Sequence, residues 1–199
     1  MAENLNYFFS VWIKLFFLLT PFFVLTMFLA YTKDKEERER RGLAVKVGAA
    51  VALASLVLYF FGNWIFAVFG ITIDSFRIGA GALLFLSAVA LIRGEKPEAR
   101  TEDGDIAVVP LAIPMTIGPA TTGALLVMGA ENHNAAQTMA GCSALVMAAL
   151  CVGVMLFLSA SIHRLVGSRG LTILSKLTGL ILSALAAQMV FSGIKNFMR

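Results

Sequence analysis

The stretch from Val109 to Met128 constrains this chain most: it is apolar enough to enter a bilayer, yet it carries three prolines and two glycines. Each proline removes a backbone donor and clashes with the preceding helical turn, so an unbroken helix is disfavoured here. In hydrocarbon, an exposed break leaves peptide groups without partners at several kcal/mol each. A broken segment is tolerated where other helices cover it or where it lines a polar cavity. The stretch is therefore the first candidate for a site.

The surrounding sequence explains what kind of protein holds such a segment. Hydrophobic residues make up 59% of the 199 and charged residues 14%, against roughly 25% charged in ordinary soluble domains. Several apolar runs are long enough to span a bilayer. The chain reads as a single polytopic membrane domain over residues 1–199, with no soluble module. Its N-terminus lacks a basic region before a short apolar core and lacks a small-residue cleavage site, so a retained first helix is expected rather than a removed signal peptide. The net charge of +4 reflects basic connecting segments and not nucleic-acid affinity. Cys142 and Cys151 lie nine residues apart in one apolar run. At 100° per residue they face nearly opposite directions, so they read as small apolar side chains and not as a bridge.

In chain order, helix 1 is expected from about Ser10 to Tyr31, bent or interrupted near Thr20-Pro21, with Lys14 about a turn inside the membrane. Its ammonium either reaches along the helix to the interface or faces an internal cavity, the interface being favoured. Lys33 to Arg41 is a solvated charge run. Helix 2 covers about Leu43 to Val68, a short turn Gly70 to Ser75, helix 3 about Phe76 to Ile92, and a polar loop Arg93 to Asp105. The broken fourth segment follows, about Ile106 to Gly129. Helix 5 covers about Ala136 to Ser161, a loop His163 to Gly170, and helix 6 about Leu171 to Phe197. Lys33, Lys35, Arg38, Arg40, Arg41, Lys46, Arg93, Lys96, Arg100, Arg164, Arg169 and Lys176 lie at or near the first, third and fifth connections. The second and fourth offer only Arg77 at an edge. The odd connections should be cytoplasmic and both termini outside.

The two halves resemble each other. Arg77 to Lys96 aligns without a gap over Lys176 to Lys195, matching Gly94 to Gly193 and Lys96 to Lys195. Phe69-Gly70 and Val166-Gly167 precede them at nearly matching distance, and Leu19-Thr20-Pro21 matches Ile117-Gly118-Pro119. With three helices per unit the second copy must enter from the opposite side, an inverted repeat common among secondary transporters. The fold expected is all-α: six transmembrane helices in two inverted three-helix repeats, about 5–96 and 106–199, with helices 1 and 4 broken or kinked. Fresh helix N-termini after Pro21 and Pro119 would present amide donors and partial positive charge to a carboxylate or similar small anionic group. Thr20, Thr116, Thr121 and Thr122 would add hydroxyl contacts.

At Pro110-Leu-Ala-Ile-Pro-Met-Thr-Ile-Gly-Pro119, with Phe69-Gly-Ile-Thr-Ile-Asp-Ser-Phe-Arg-Ile-Gly-Ala-Gly81, the sequence resembles the MarC family of bacterial integral membrane proteins. The stretches Arg164-Leu-Val-Gly and Leu177-Thr-Gly-Leu are similar to it too, so the resemblance covers essentially the whole chain. It implies six spans in two three-helix halves and uptake of small neutral amino acids such as glycine and alanine. The second-half site carries over as Pro110, Pro114, Gly118 and Pro119. The first half departs from the pattern: Thr20-Pro21 stands where the family usually has Asn-Pro or Asp-Pro, and the following glycine and second proline are absent. Only Pro21 carries over there.

The function expected is a secondary transporter of small solutes, foremost small neutral amino acids, in a bacterial inner membrane. The candidate substrate contacts are Thr20, Pro21, Pro114, Thr116, Gly118, Pro119, Thr121 and Thr122. No cofactor is expected. Coupling to Na+ held by backbone carbonyls and hydroxyls is open; a proton relay finds no carboxylate inside an expected span. The alternative is a lipid-binding or lipid-translocating protein, favoured by the basic cytoplasmic clusters. An enzyme is not expected: His133 and His163 fall at opposite faces and the acidic residues at loops or edges. Arg77 beside Asp74 reads as a structural pair. Gln188, inside helix 6, must be paired with a neighbouring helix or face a cavity, the bridge being slightly favoured.

Overall fold

The computed structural model describes residues 2–95, 112, 116–131 and 135–198. The described residues form helices and no strand: α1 (Ala2–Leu18), α2 (Pro21–Tyr31), α3 (Glu37–Phe69), α4 (Ile73–Arg93), α5 (Pro119–Glu131), α6 (Ala135–Phe157) and α7 (Ser159–Phe197). Among the described residues, five stretches are long and apolar enough to cross a membrane: Asn6–Tyr31, Glu37–Phe69, Ile73–Arg93, Ala135–Phe157 and Ser159–Phe197. The 13 residues of α5 are too few to span alone. The chain leading into α5, including Pro110 and Pro114, lies mostly outside the described residues.

The first helix is fully interrupted rather than bent. Thr20 adopts φ 48°, ψ 52° between α1 and α2, a left-handed conformation that a β-branched residue rarely takes. Proline explains the location. Pro21 disfavours the right-handed helical region for the residue before it, and its own fixed φ suits the first position of a new helix. The Thr20 amide donates to Phe17 O and the Val24 amide to Thr20 O, both at 3.0 Å, so one helix closes as the next begins.

Other expected boundaries move. The charge run does not delay α3, which starts at Glu37. Glu37 and Glu39 stand in its positive first turn, and Glu37 pairs with Arg41 one turn on. At about 1.5 Å per residue its 33 residues reach beyond a ~30 Å hydrocarbon layer, which leaves these charged turns outside it. The α3–α4 turn falls as expected: Gly70 (φ 62°) caps α3 in the left-handed conformation, and the Thr72 hydroxyl accepts from the Ser75 amide to cap α4. The expected loop His163 to Gly170 is a correction. These residues belong to α7, which is interrupted only at Gly167 (φ 71°, ψ 167°). Without a proline the segment has no obligatory stop, and a single glycine supplies the one non-helical residue.

Glycines set how closely the helices pack. A Cβ on Gly48 would lie 3.1 Å from Gly153 Cα, one on Gly62 2.3 Å from Leu126 O, and one on Gly129 1.8 Å from Tyr59 O. Thus α3 meets α6 and α5 nearly backbone to backbone, the close approach that small residues allow in membranes. The α4–α7 pair is built alike: Gly81 lies against Ala186 and Val190, Gly179 against Ala88 and Ile92, and Gly193 against Asp74 and Ile78. These contacts run in opposite chain directions, so the two helices are antiparallel. Leu15, Leu19, Leu25, Phe28, Val51, Leu145 and Leu182 fill the interior, while Leu53, Phe60, Trp64, Leu86, Leu150 and Phe191 point outward, an apolar exterior suited to lipid.

Candidate functional site

The two proline breaks come together. Thr20 from the first break and Gly118 and Pro119 from the second face a common cavity of about 350 Å³, lined among others by Leu18, Phe23, Ala120 and Thr121. Helix α4 contributes Leu84, Ser87, Ala90 and Leu91, and α7 contributes Leu182. Residues 19–21 and 117–119 reach one place because α5 packs on α4 while α2 packs on α7, and α4 and α7 are themselves paired.

Each break has a local cause. Before Pro119 the Ile117 amide donates to Ala112 O at 2.9 Å, a bond five residues back that widens the turn. The Thr122 amide then donates to Gly118 O. The first amides of a helix have no carbonyl partner one turn back. In α2 these are Phe22 and Phe23, and in α5 Ala120 and Thr121, Pro21 and Pro119 having no N–H. Two helix N-termini therefore open at one cavity, each with partial positive charge. The breaks also touch directly: the buried Thr121 hydroxyl donates to Leu18 O at 3.3 Å, satisfying a carbonyl at the end of α1.

Of the expected contacts, Thr20, Gly118, Pro119 and Thr121 line this cavity. Pro21 is buried at the start of α2, Thr116 is buried at 1% exposure and Thr122 is half-buried; none of the three lines it. Pro114 lies outside the described residues. The hydroxyl of Ser87 and the aliphatic wall from α4 and α7 were not foreseen, because nothing local in the sequence marks them. Glu95 stands at the cavity's edge, 58% exposed and 3.6 Å from Arg93. Among the described residues no cluster of three or more His, Cys, Asp or Glu is placed to hold a metal ion.

A second cavity, about 490 Å³, extends from the other side of Leu18 and Leu84, which line both. It follows the same faces of the same helices: Tyr7, Val11, Lys14 and Leu18 on α1, Ala124, Val127, Met128 and Glu131 on α5, and Leu185 to Asn196 on α7. Lys14 is exposed and lines this cavity. Gln188 is exposed on its wall and, among the described residues, makes no bond to another helix. Arg77, 8% exposed, bonds Asp74 at 2.9 Å, as expected of a structural pair, and also reaches Glu131 on α5. Residue 131 lies 54 positions away, too far for sequence spacing to reveal.

Comparison with known proteins places the chain in a family of integral membrane proteins. The model of the family described as MarC family integral membrane protein matches residues 5–198. A UPF0056 membrane protein of Methanocaldococcus jannaschii is 32% identical over 97% of this chain and 98% of its own length. The Escherichia coli UPF0056 membrane protein YhcE is 29% identical over 95% of this chain and 92% of its own. One from Aquifex aeolicus is 28% identical, over 96% and 94%. No solved structure matches. A family match over nearly the whole length, joined to these apolar helices, makes this a multi-pass membrane protein, and the chain belongs to the MarC family of integral membrane proteins.

Proposed function

We propose that the protein is a secondary transporter of small neutral amino acids, working by alternating access between two inverted repeats. The carrying observation is that two interrupted helices present their N-termini to one cavity. The substrate carboxylate binds the free amides of α2 and α5 with the Thr20 hydroxyl, as expected where half-helix ends meet in transporters, while the Thr121 hydroxyl stays bonded to Leu18 O. A volume of about 350 Å³ suits a small solute, and walls of Leu84, Ala90 and Leu182 suit a short apolar side chain. The second cavity supports alternating access, because Leu18 and Leu84 form a septum between spaces that extend in opposite directions.

Three features support the inverted repeat: Pro21 and Pro119 each open a helix, Gly70 and Gly167 each adopt positive φ before the third helix of their half, and α4 packs antiparallel on α7. One match is unequal, for Gly94 caps α4 with φ 76° whereas Gly193 packs inside α7. In this reading the termini lie outside a plasma membrane, the basic connections inside, and the protein is a carrier and not an enzyme.

The test is uptake of labelled glycine and alanine into proteoliposomes, with and without Na+ and proton gradients. Saturable uptake above empty liposomes is expected. Its absence under every gradient, with folded protein, would refute the proposal.

A further inference from the structure

We infer that the larger cavity is an anion-binding vestibule whose ligand is a small molecule bearing one carboxylate. Three cations from three helices line it: Lys14 on α1, Arg77 on α4 and Lys195 on α7. Arg77 is already engaged by Asp74 and Glu131. Asp74 also accepts from the Asn196 amide at 3.3 Å. Lys14 and Lys195 form no ion pair among the described residues. Set against the two carboxylates, the three cations leave one positive charge in excess, which a monoanion balances. Gln188, Ser192 and Asn196 supply hydrogen-bonding groups on the same wall, while Val11, Leu84 and Leu185 leave room for an apolar body.

Position strengthens the case. Lys14 stands one helical turn before Leu18, on the same face of α1, so its ammonium stem begins just beyond the septum dividing the two cavities. A cation on an apolar helix is costly unless it is solvated or meets a counter-charge, and Lys14 and Lys195 are both exposed where they line the cavity. Low-dielectric walls around an unpaired cation focus its field and concentrate small anions. The inference concerns binding and does not require that the ligand be transported.

The experiment uses the full chain in phosphatidylcholine nanodiscs, with Cys142→Ala and Cys151→Ala as background and Gln188→Cys as reporter. Labelling rates are compared for an anionic reagent, 2-sulfonatoethyl methanethiosulfonate, and a cationic one, 2-(trimethylammonium)ethyl methanethiosulfonate. Each is normalised to its rate with free 2-mercaptoethanol. The expected preference for the anionic reagent is on the order of tenfold, falling to about twofold or less when Lys14→Gln and Lys195→Gln are added. With both lysines intact, acetate should slow anionic labelling more than chloride does at equal concentration. No anionic preference, or a preference that survives loss of both lysines, overturns the inference. So does acetate acting no more strongly than chloride, a readout that does not depend on the lysine variant folding. Protection by added phosphatidylglycerol but not by acetate would assign the cavity to a lipid headgroup and overturn the soluble carboxylate. If glycine uptake fails while these rates behave as expected, the vestibule stands and the transport proposal falls.

Discussion

The hydroxyl of Thr121 donates to the carbonyl oxygen of Leu18 at 3.3 Å, joining the first turn of α5 to the last turn of α1 across 103 positions of sequence. A threonine at the start of one interrupted helix thereby satisfies a carbonyl left open at the end of the other. Thr121→Val keeps the shape and leaves that buried acceptor without its donor. The bond is long, so a loss of about 1 kcal/mol is expected, read as a lower unfolding midpoint in detergent. Thr121→Ser should restore most of it. A valine variant as stable as the parent would show that the bond contributes nothing.

Thr20 carries backbone strain at φ 48°. Asparagine tolerates the left-handed region far better than a β-branched residue, and the family resemblance leads one to expect Asn or Asp here. Thr20→Asn should stabilise the protein by about 1 kcal/mol. A thermal midpoint that fails to rise would contradict the assignment of this conformation.

Close packing of α5 on α3 predicts a sharp contrast between two glycines. A Cβ at Gly129 would lie 1.8 Å from Tyr59 O, whereas one at Gly79 meets nothing within 4 Å. Gly129→Ala should cost about 2–3 kcal/mol through forced separation of the helices. Gly79→Ala should be neutral or gain up to about 1 kcal/mol from helix propensity. Equal effects at the two positions would rule out the backbone contact.

Arg77 is buried while its partners are not: the Asp74 and Glu131 side chains are 30% and 43% exposed. Losing either carboxylate alone should be mild, because the other still neutralises the guanidinium. Asp74→Asn combined with Glu131→Gln strands a buried cation and should cost about 3 kcal/mol. Additive single and double effects in chemical denaturation would argue against a shared ion-pair cluster.

The sequence exposed those features that depend on local chemistry. Pro21 and Pro119 disfavour an unbroken helix wherever they fall, so the place of both breaks was legible in the sequence, while full interruption rather than a kink was not. Gly70 after an apolar run likewise marked the end of α3. The expected loop His163 to Gly170 narrows to Gly167, because a glycine permits a break without extending it into a loop, and the residues around it stay helical. The larger cavity was hidden for another reason. Lys14, Arg77 and Lys195 belong to three helices, and only the packing of α1 and α4 against α7 brings them to one cavity. Gln188 could be placed within a span by hydropathy, but which face it presents depends on that same packing.

Equilibrium binding of labelled alanine to the purified protein tests the central claim, that a small solute is held between the two interruptions. Ser87 is half-buried on α4 and lines that cavity, so Ser87→Trp fills it, whereas Phe85→Trp on the outward face serves as the matched control. The parent and Phe85→Trp should bind alanine, and Ser87→Trp should bind at least roughly tenfold more weakly at an unchanged unfolding midpoint. Alanine bound equally well by Ser87→Trp, or not bound by the folded parent, would contradict it.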